Sequence, residues 1–369
     1  MDTATQALLG AVVGQAGFSH KLGRRAVGWG ALGGLLPDLD ILANFTHGPF
    51  GEFLHHRGFT HALWFGPVVG PLLGYAVWRL YARSPRKASE RPAHESQLPH
   101  PGDRDLLGSW IGLFVVALFT HPLIDIFTSY GTQLFAPFSN QRYALNAVGI
   151  IDPFYSGTLV AALIAGRALR GRPAGARRIA FAALALSWAY LGYGYALNEH
   201  ARRNVEQWLG AAGVEDARVR VYPTMLQPYL RRVVVHTAEE IWIGLYTPWR
   251  QAGPAFERFR PAPPHPLIDA LAQTREGTIF TWFAMGETAA RITPNGDGFA
   301  VEIDDLRYGF PGESALGYWG TRGVFDADGQ LRGSVQRIEH DPKGTTGSLL
   351  RGLWRAAWGD FSGTGLSGV

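Results

Sequence analysis

The stretch from Leu106 to Phe127 reads LLGSWIGLFVVALFTHPLIDIF. It has the length needed to cross a hydrocarbon core, which takes roughly 20 apolar residues in helical form. It also carries His121 and Asp125, and ionisable groups at membrane depth are costly unless they are paired or face water. Their spacing of four places both on one helix face, aimed at a common centre. Taken alone, the pair reads either as part of a metal site or as a hydrogen-bonded lock between helices.

Working outward, His61 to Ala82 (HALWFGPVVGPLLGYAVWRLYA) is a second strong spanning segment, and Ile151 to Leu169 and Ile179 to Leu197 follow it. Ala7 to Ser19 and Ala26 to Leu42 are shorter and Gly-rich, so buried or re-entrant helices are the alternative reading there. Gly and Ala suit close helix packing in lipid. The expectation is an α-helical polytopic membrane domain over 1–199 with about four to six membrane helices. A small β-rich or α+β extramembrane domain follows over 200–369. Mean hydropathy near zero is then the average of two unlike halves.

Basic residues sort between these segments: Lys21, Arg24 and Arg25; then Arg83, Arg86, Lys87, Arg91 and Arg104; then Arg167, Arg170, Arg172, Arg177 and Arg178. If all six segments span, the three loops share one face, and the positive-inside rule makes that face cytoplasmic. The His/Asp motifs and everything after Leu197 then fall on the non-cytoplasmic face. Residues 84–104, rich in Pro, His, Arg and Glu, read as a flexible cytoplasmic linker. His94 and His100 within it read as solvated, and His20 and His47 as structural or interfacial.

The chain has no cysteine, which excludes disulfides, thiolate zinc sites and a Cys nucleophile. A net charge of only +4 gives no reason to expect a nucleic-acid partner. The acidic opening Met1-Asp2-Thr3 lacks the basic start of a signal peptide, so insertion is expected to rely on internal segments.

Four motifs carry the chemistry: Leu35-Leu36-Pro37-Asp38-Leu39-Asp40; His55-His56-Arg57-Gly58-Phe59-Thr60-His61; His121-Pro122-Leu123-Ile124-Asp125; and Ile151-Asp152-Pro153. Imidazole nitrogens with carboxylate oxygens suit zinc, with manganese or iron as alternatives. Asp38, His56, His61, His121 and Asp125 are the expected ligands. Asp40 is expected to act as a general base or to orient a ligand, and Arg57 to hold a phosphate or carboxylate or else to snorkel. His55, Thr60 and Asp152 are expected in supporting positions, Thr60 as the cap of the helix that follows.

The opening MDTATQALLG, LLPDLD at 35–40, HRGFTHAL at 56–63 and THPLIDIFTSYGT at 120–132, with the later FAPFS and IIDPF, together resemble the YdjM family of inner-membrane metal-dependent hydrolases. The longer, YfhP-like members carry an extra C-terminal domain, as this chain does. The resemblance covers about the first 155 residues and implies a bacterial inner (plasma) membrane location and metal-dependent hydrolysis, without a substrate. Family members commonly have a His where this chain has Gln6. A looser similarity to zinc-dependent phospholipases C points to a lipid or membrane-proximal phosphoester as substrate, with the bilayer itself as partner. The rival readings are a non-catalytic, metal-stabilised membrane protein whose C-terminal domain binds a partner, and a transporter with an intramembrane ion relay.

In the C-terminal half, Val214–Tyr222, Arg231–Val235 and Glu240–Tyr246 read as strands. Asn295-Gly296-Asp297-Gly298 and Asp326-Ala327-Asp328-Gly329 each signal a hairpin. Asp304, Asp305 and Arg307 read as a salt-bridged strand end. Leu349 to Trp358 reads as an amphipathic run suited to a bilayer surface, before a Gly/Ser-rich tail expected to be disordered.

Overall fold

Glycine-rich helix faces set the packing of the N-terminal half. The computed structural model describes residues 1–83, 99–169, 171–309, 317–340, 346–362 and 366. Residues 84–98 of the expected linker, with His94, lie outside the described residues, as do Arg170 and most of the Gly/Ser-rich tail. The chain divides into two units: Met1–Ile41 with His55–Leu145 and Ile150–Tyr193, and Leu42–Leu54 with Asn146–Gly149 and Gly194–Val369.

In chain order the helices are α1 (Thr3–Val13), a π-helical turn (Gly14–Phe18), α2 (Ser19–Leu22), α3 (Arg25–Leu35) and a 3-10 run (Leu36–Ala43). Then come α4 (Asn44–His47), α5 (Gly51–His55), a 3-10 turn (Phe59–His61), α6 (Phe65–Ala82), α7 (Leu107–Asp125), α8 (Pro153–Ala168) and α9 (Pro173–Ala211).

In the first unit α1 and α3 lie backbone to backbone. A Cβ on Gly10 would sit 2.1 Å from the Gly30 carbonyl oxygen, and one on Gly34 2.3 Å from that of Gln6. Gly70 and Gly74 do the same for α6 against α7, where a Cβ would meet the backbone of Val115 and Ile111 at 2.7 and 2.5 Å. Trp110 of α7 stacks on Tyr81 of α6 and meets Trp29 of α3 edge-on. Gln15, in the π-helical turn, donates to the carbonyls of Ala162 and Ala176 at 3.1 and 3.2 Å, tying α8 and α9 to the N-terminal helix. In lipid such polar clamps and close backbone contacts replace the hydrophobic driving force.

Among the described residues, three helices are long and apolar enough to cross a membrane: Arg25–Ala43, Arg104–Asp125 and Pro173–Ala211. The other expected segments also form helices, but α6 carries Pro67, Pro71 and Arg79 and α8 is short. Four to six crossings therefore go beyond what length and hydropathy support. Leu72, Ile164 and Leu186 are exposed on this unit, as lipid-facing side chains are. His61 lies in the 3-10 turn and α6 starts only at Phe65, so Thr60 does not cap it; the Thr60 hydroxyl lies 3.0 Å from both the Pro37 carbonyl oxygen and Asp40 Oδ2.

The second unit holds the later part of α9 and two four-stranded antiparallel sheets. The first contains β1 (Arg218–Pro223), β2 (Arg231–His236), β3 (Ile241–Tyr246) and β4 (Ala255–Phe259) in sequential order. Ala201, Val205 and Leu209 of α9 recur at helical spacing and pack on Val219, Val221, Val233 and Val235 of this sheet. Two helices follow, α10 (Pro266–Gln273) and α11 (Arg275–Phe283). The second sheet contains β5 (Thr288–Asn295), β6 (Gly298–Asp305), β7 (Trp319–Phe325) and β8 (Leu331–Glu339). Both expected hairpins form, with Gly296 and Gly329 at positive φ in the turns. Arg307 and Asp305 form a buried pair at 2.7 Å, and Asp304 pairs with Arg291 and His340, as a salt-bridged strand end requires. The helix α12 (Thr346–Ala357) covers the amphipathic run.

Candidate metal centre

Pro37 ends α-helical hydrogen bonding, and the chain continues as the 3-10 run that carries Asp38. His61 closes the next 3-10 turn, and His121 lies one turn before the end of α7. These three segments meet so that Asp38, His61 and His121 form a buried group able to hold a metal ion. The Nε2 atoms of His61 and His121 are 3.0 Å apart. Asp38 Oδ1 is 3.4 Å from the first and 3.3 Å from the second. Ligand atoms about 2.0–2.1 Å from a shared tetrahedral ion would be separated by about 3.3 Å.

Hydrogen bonding at the far side of each ring tests whether these residues fit a cation. His121 Nδ1 lies 2.7 Å from the Gly34 carbonyl oxygen, which can only accept, so Nδ1 carries the proton. His61 Nδ1 lies 3.1 Å from both the Asp40 carboxylate and the Thr60 hydroxyl oxygen; the carboxylate can only accept, which favours the proton on Nδ1 here as well. With Nε2 unprotonated, rings so held would direct two Nε2 lone pairs at each other and at a carboxylate. Asp38 Oδ2 and Asp125 Oδ2 are buried without a hydrogen-bond partner. Facing acceptors and unpartnered carboxylate oxygens are what a bound cation would satisfy.

Asp125 sits beside the group. Its Oδ2 is 3.4 Å from His61 Nε2 and 3.6 Å from His121 Nε2, as the i, i+4 spacing anticipated. Its Oδ1 accepts from Gln6 Nε2 at 3.0 Å and from the backbone nitrogen of Met1, and Arg57 Nη2 is 3.4 Å away. Gln6, where the resembled family has a His, thus faces the centre through Asp125, with its own Oε1 buried and unpartnered.

Several expected roles change. His56 is not brought into the group: its Nδ1 is 2.7 Å from Asp40 Oδ1. Asp40 does not stand free as a base, because the Arg57 N–H, Thr60 hydroxyl and His61 Nδ1 crowd its Oδ2 while His56 takes Oδ1. It positions His61. Arg57 is buried rather than snorkelling or poised for substrate. Its guanidinium donates to Thr128 Oγ1 (2.6 Å) and to the carbonyls of Asp125 and Met1 (both 3.3 Å) and lies over the Tyr130 ring. It also takes a positive φ of 59°, a conformation that costs a non-glycine residue about 1–2 kcal/mol. Asp152 caps α8, accepting from the Phe154 and Tyr155 N–H groups at 3.0 Å and from Tyr190 at 2.8 Å. His55 ends α5, and its carbonyl accepts from Gly58.

The Gly34 carbonyl was not visible as a functional group in the sequence. Its only signal is the small-residue spacing Gly30-x-x-x-Gly34, which lets α3 approach closely enough to present a carbonyl to His121.

Candidate membrane helices together with a buried Asp/His/His cluster define the class, a membrane protein with a candidate metal centre. The family profile described as YdjM inner membrane protein matches residues 1–201, and the chain belongs to that family. Among its relatives, the uncharacterized protein YfhP of Bacillus subtilis (strain 168) is 27% identical over 164 residues. That segment spans 42% of this chain and 42% of YfhP, well under half of either protein. No solved structure matches the chain.

Proposed function

We propose that this protein is a membrane-bound, metal-dependent hydrolase acting on a lipid or another membrane-proximal phosphoester. The observation that carries the reading is the pair of Nε2 atoms 3.0 Å apart, each ring held in the metal-binding tautomer by an acceptor at Nδ1. Asp38, His61 and His121 would hold the ion, with zinc as the first choice and manganese or iron as alternatives. When bound, a divalent metal supplies Lewis-acid polarisation of a phosphoryl oxygen and makes water more acidic.

The chain's own residues do the rest. Asp40 and the Gly34 carbonyl keep the two imidazoles oriented. Asp38 Oδ2, without a hydrogen-bond partner, accepts the proton of the attacking water. The water oxygen bonds to phosphorus, the ester P–O bond breaks, and the proton passes to the departing oxygen. Leu39, Ile41 and Phe59, exposed next to the site residues in sequence, offer an apolar rim for acyl chains. The three basic loops favour a site and a C-terminal domain on the non-cytoplasmic face, with α6 and α8 among four to six crossings.

Asp125 favours a second reading. If its Oδ2 ligates as well, a closed four-donor site results, which is characteristic of structural rather than catalytic metals. Elemental analysis of the purified chain beside Asp38→Ala and His121→Ala addresses both. We expect a stoichiometric transition metal in the native protein and its loss in both variants; a metal-free native protein overturns both readings. Release of phosphorylated headgroup from lipid vesicles, abolished by His121→Ala, supports hydrolysis. Bound metal without release supports the structural role. Reporter fusions after Leu197 read the sidedness.

A further inference from the structure

We propose that the outer face of α12, together with the Trp249 loop, is a docking surface that seats the C-terminal domain on the anionic headgroup layer of the bilayer. This holds whether or not the metal centre hydrolyses anything. One face of α12 is committed to the core: Leu353, Ala356 and Ala357 pack against Leu230, Leu245, Ala255 and Phe361. The other face carries Leu350, Trp354 and Trp358 at spacings of four, so they form one ridge. Trp354 is 55% exposed and Trp358 53%.

Trp249, 51% exposed, extends this ridge onto the loop after β3. It stacks on Trp358 with ring centroids 5.9 Å apart, while Trp354 meets Trp358 edge-on and Tyr229 closes the cluster behind. Three half-exposed indoles with a leucine present several hundred Å² of apolar surface, a size that marks an interaction site rather than scattered surface residues.

Composition identifies the occupant. Trp and Tyr prefer the membrane–water interface, where the ring is in apolar surroundings and the polar edge is wet. Arg351 and Arg355 flank the aromatic ridge; Arg355 pairs with Asp360, and Arg250, next to Trp249, lies over the Phe361 ring. Arginines beside an apolar ridge complement anionic headgroups and can extend along it to reach phosphates. The candidate membrane helix α9 also runs continuously into this domain, and only residues 212–217 separate it from β1.

The chain contains no cysteine, so single labels are clean. Gly347 lies three residues before Leu350 on the same ridge, whereas Gly352 points elsewhere, and a Cβ at either meets no atom within 4 Å. Full-length Gly347→Cys and Gly352→Cys would each carry a bimane in nanodiscs containing phosphatidylglycerol with headgroup-attached nitroxide. We expect quenching at 347 to exceed that at 352 by at least about twofold. Trp354→Ser should lower it. Arg351→Glu should lower it in phosphatidylglycerol discs and leave it unchanged in phosphatidylcholine discs. Equal quenching at both positions, or quenching at 347 that survives Trp354→Ser in a folded protein, overturns the proposal. Crosslinking of Gly347→Cys between chains in place of quenching overturns it in favour of a second copy as the occupant.

Discussion

Asp40→Asn leaves Asp38, His61 and His121 in place and removes the charge that holds His61 from behind. Asp40 is 8% exposed at the side chain and is met by four donors: His56 Nδ1 at 2.7 Å, the Arg57 N–H and Thr60 hydroxyl at 3.0 Å, and His61 Nδ1 at 3.1 Å. An amide offers one accepting oxygen and turns its NH₂ toward the remaining donors, so at least one buried donor loses its partner. Loss of a group that orients a metal-bound His costs about 10- to 100-fold in affinity, or ~1.4–2.7 kcal/mol. The crowding around Asp40 places this variant toward the upper end. Competition with a chelator of known affinity, using zinc as probe on the detergent-solubilised full chain, measures the dissociation constant. A thermal melt establishes that the variant is folded. An affinity within about twofold of the native value in a folded variant would refute the role given to Asp40. Complete loss of metal, equal to that in His121→Ala, would make Asp40 a ligand and refute it equally.

His56→Ala should retain stoichiometric metal while His61→Ala loses it, since of these two histidines only His61 faces the Asp38 oxygen; elemental analysis of the two variants distinguishes them. Gly34→Ala places a Cβ 2.3 Å from the Gln6 carbonyl oxygen and should destabilise the fold by about 1–3 kcal/mol. Because the same residue supplies the acceptor for His121, its metal affinity should fall more than in Gly28→Ala, where a Cβ meets nothing. In the C-terminal domain, the hydrogen bond from His340 to Asp304 raises the His340 pKa despite partial burial. Its stabilisation is complete below the unfolded pKa of about 6.5 and is lost as pH rises through the folded value. Burial opposes ionisation of Glu287, but His236, Arg218 and Arg220 outweigh it and lower the pKa, so that contribution is lost as pH falls. Melting temperature against pH should therefore lose its alkaline slope in His340→Gln and its acidic slope in Glu287→Gln.

Periodic elements were legible in proportion to how local their causes are. The strands at 231–236 and 241–246 and the two glycine turns follow from β-branched runs and turn chemistry within a few residues. β4 (AFERF) and the helices α10 and α11 are too short for periodicity to reveal them, although Pro266 at the first position of α10 is a helix-start cue. Among the membrane segments, 106–127 follows from its apolar length, whereas α6 starts at Phe65, inside the apolar run that begins at His61. Phe59 to His61 instead form a separate turn because Thr60 and His61 bond to Pro37 and Asp40.

For the site, the sequence alone determined which residue types gather and why: His and Asp do not sit in apolar helices without partners, and spacing of four aligned His121 with Asp125. It also determined membrane character, through long apolar runs, and family membership, through motifs confined to the first half. The division of labour within the His-His-Arg run came only from the tertiary structure. Neighbouring residues on an irregular turn have no fixed relative direction until a second segment binds them. Asp40, sixteen residues away from His56 and seventeen from Arg57, binds that turn through both of its oxygens, drawing His56 aside and leaving His61 Nε2 toward His121. Likewise the Gly34 carbonyl became a functional group only when glycine let two helices approach within backbone contact, a proximity that no linear spacing encodes.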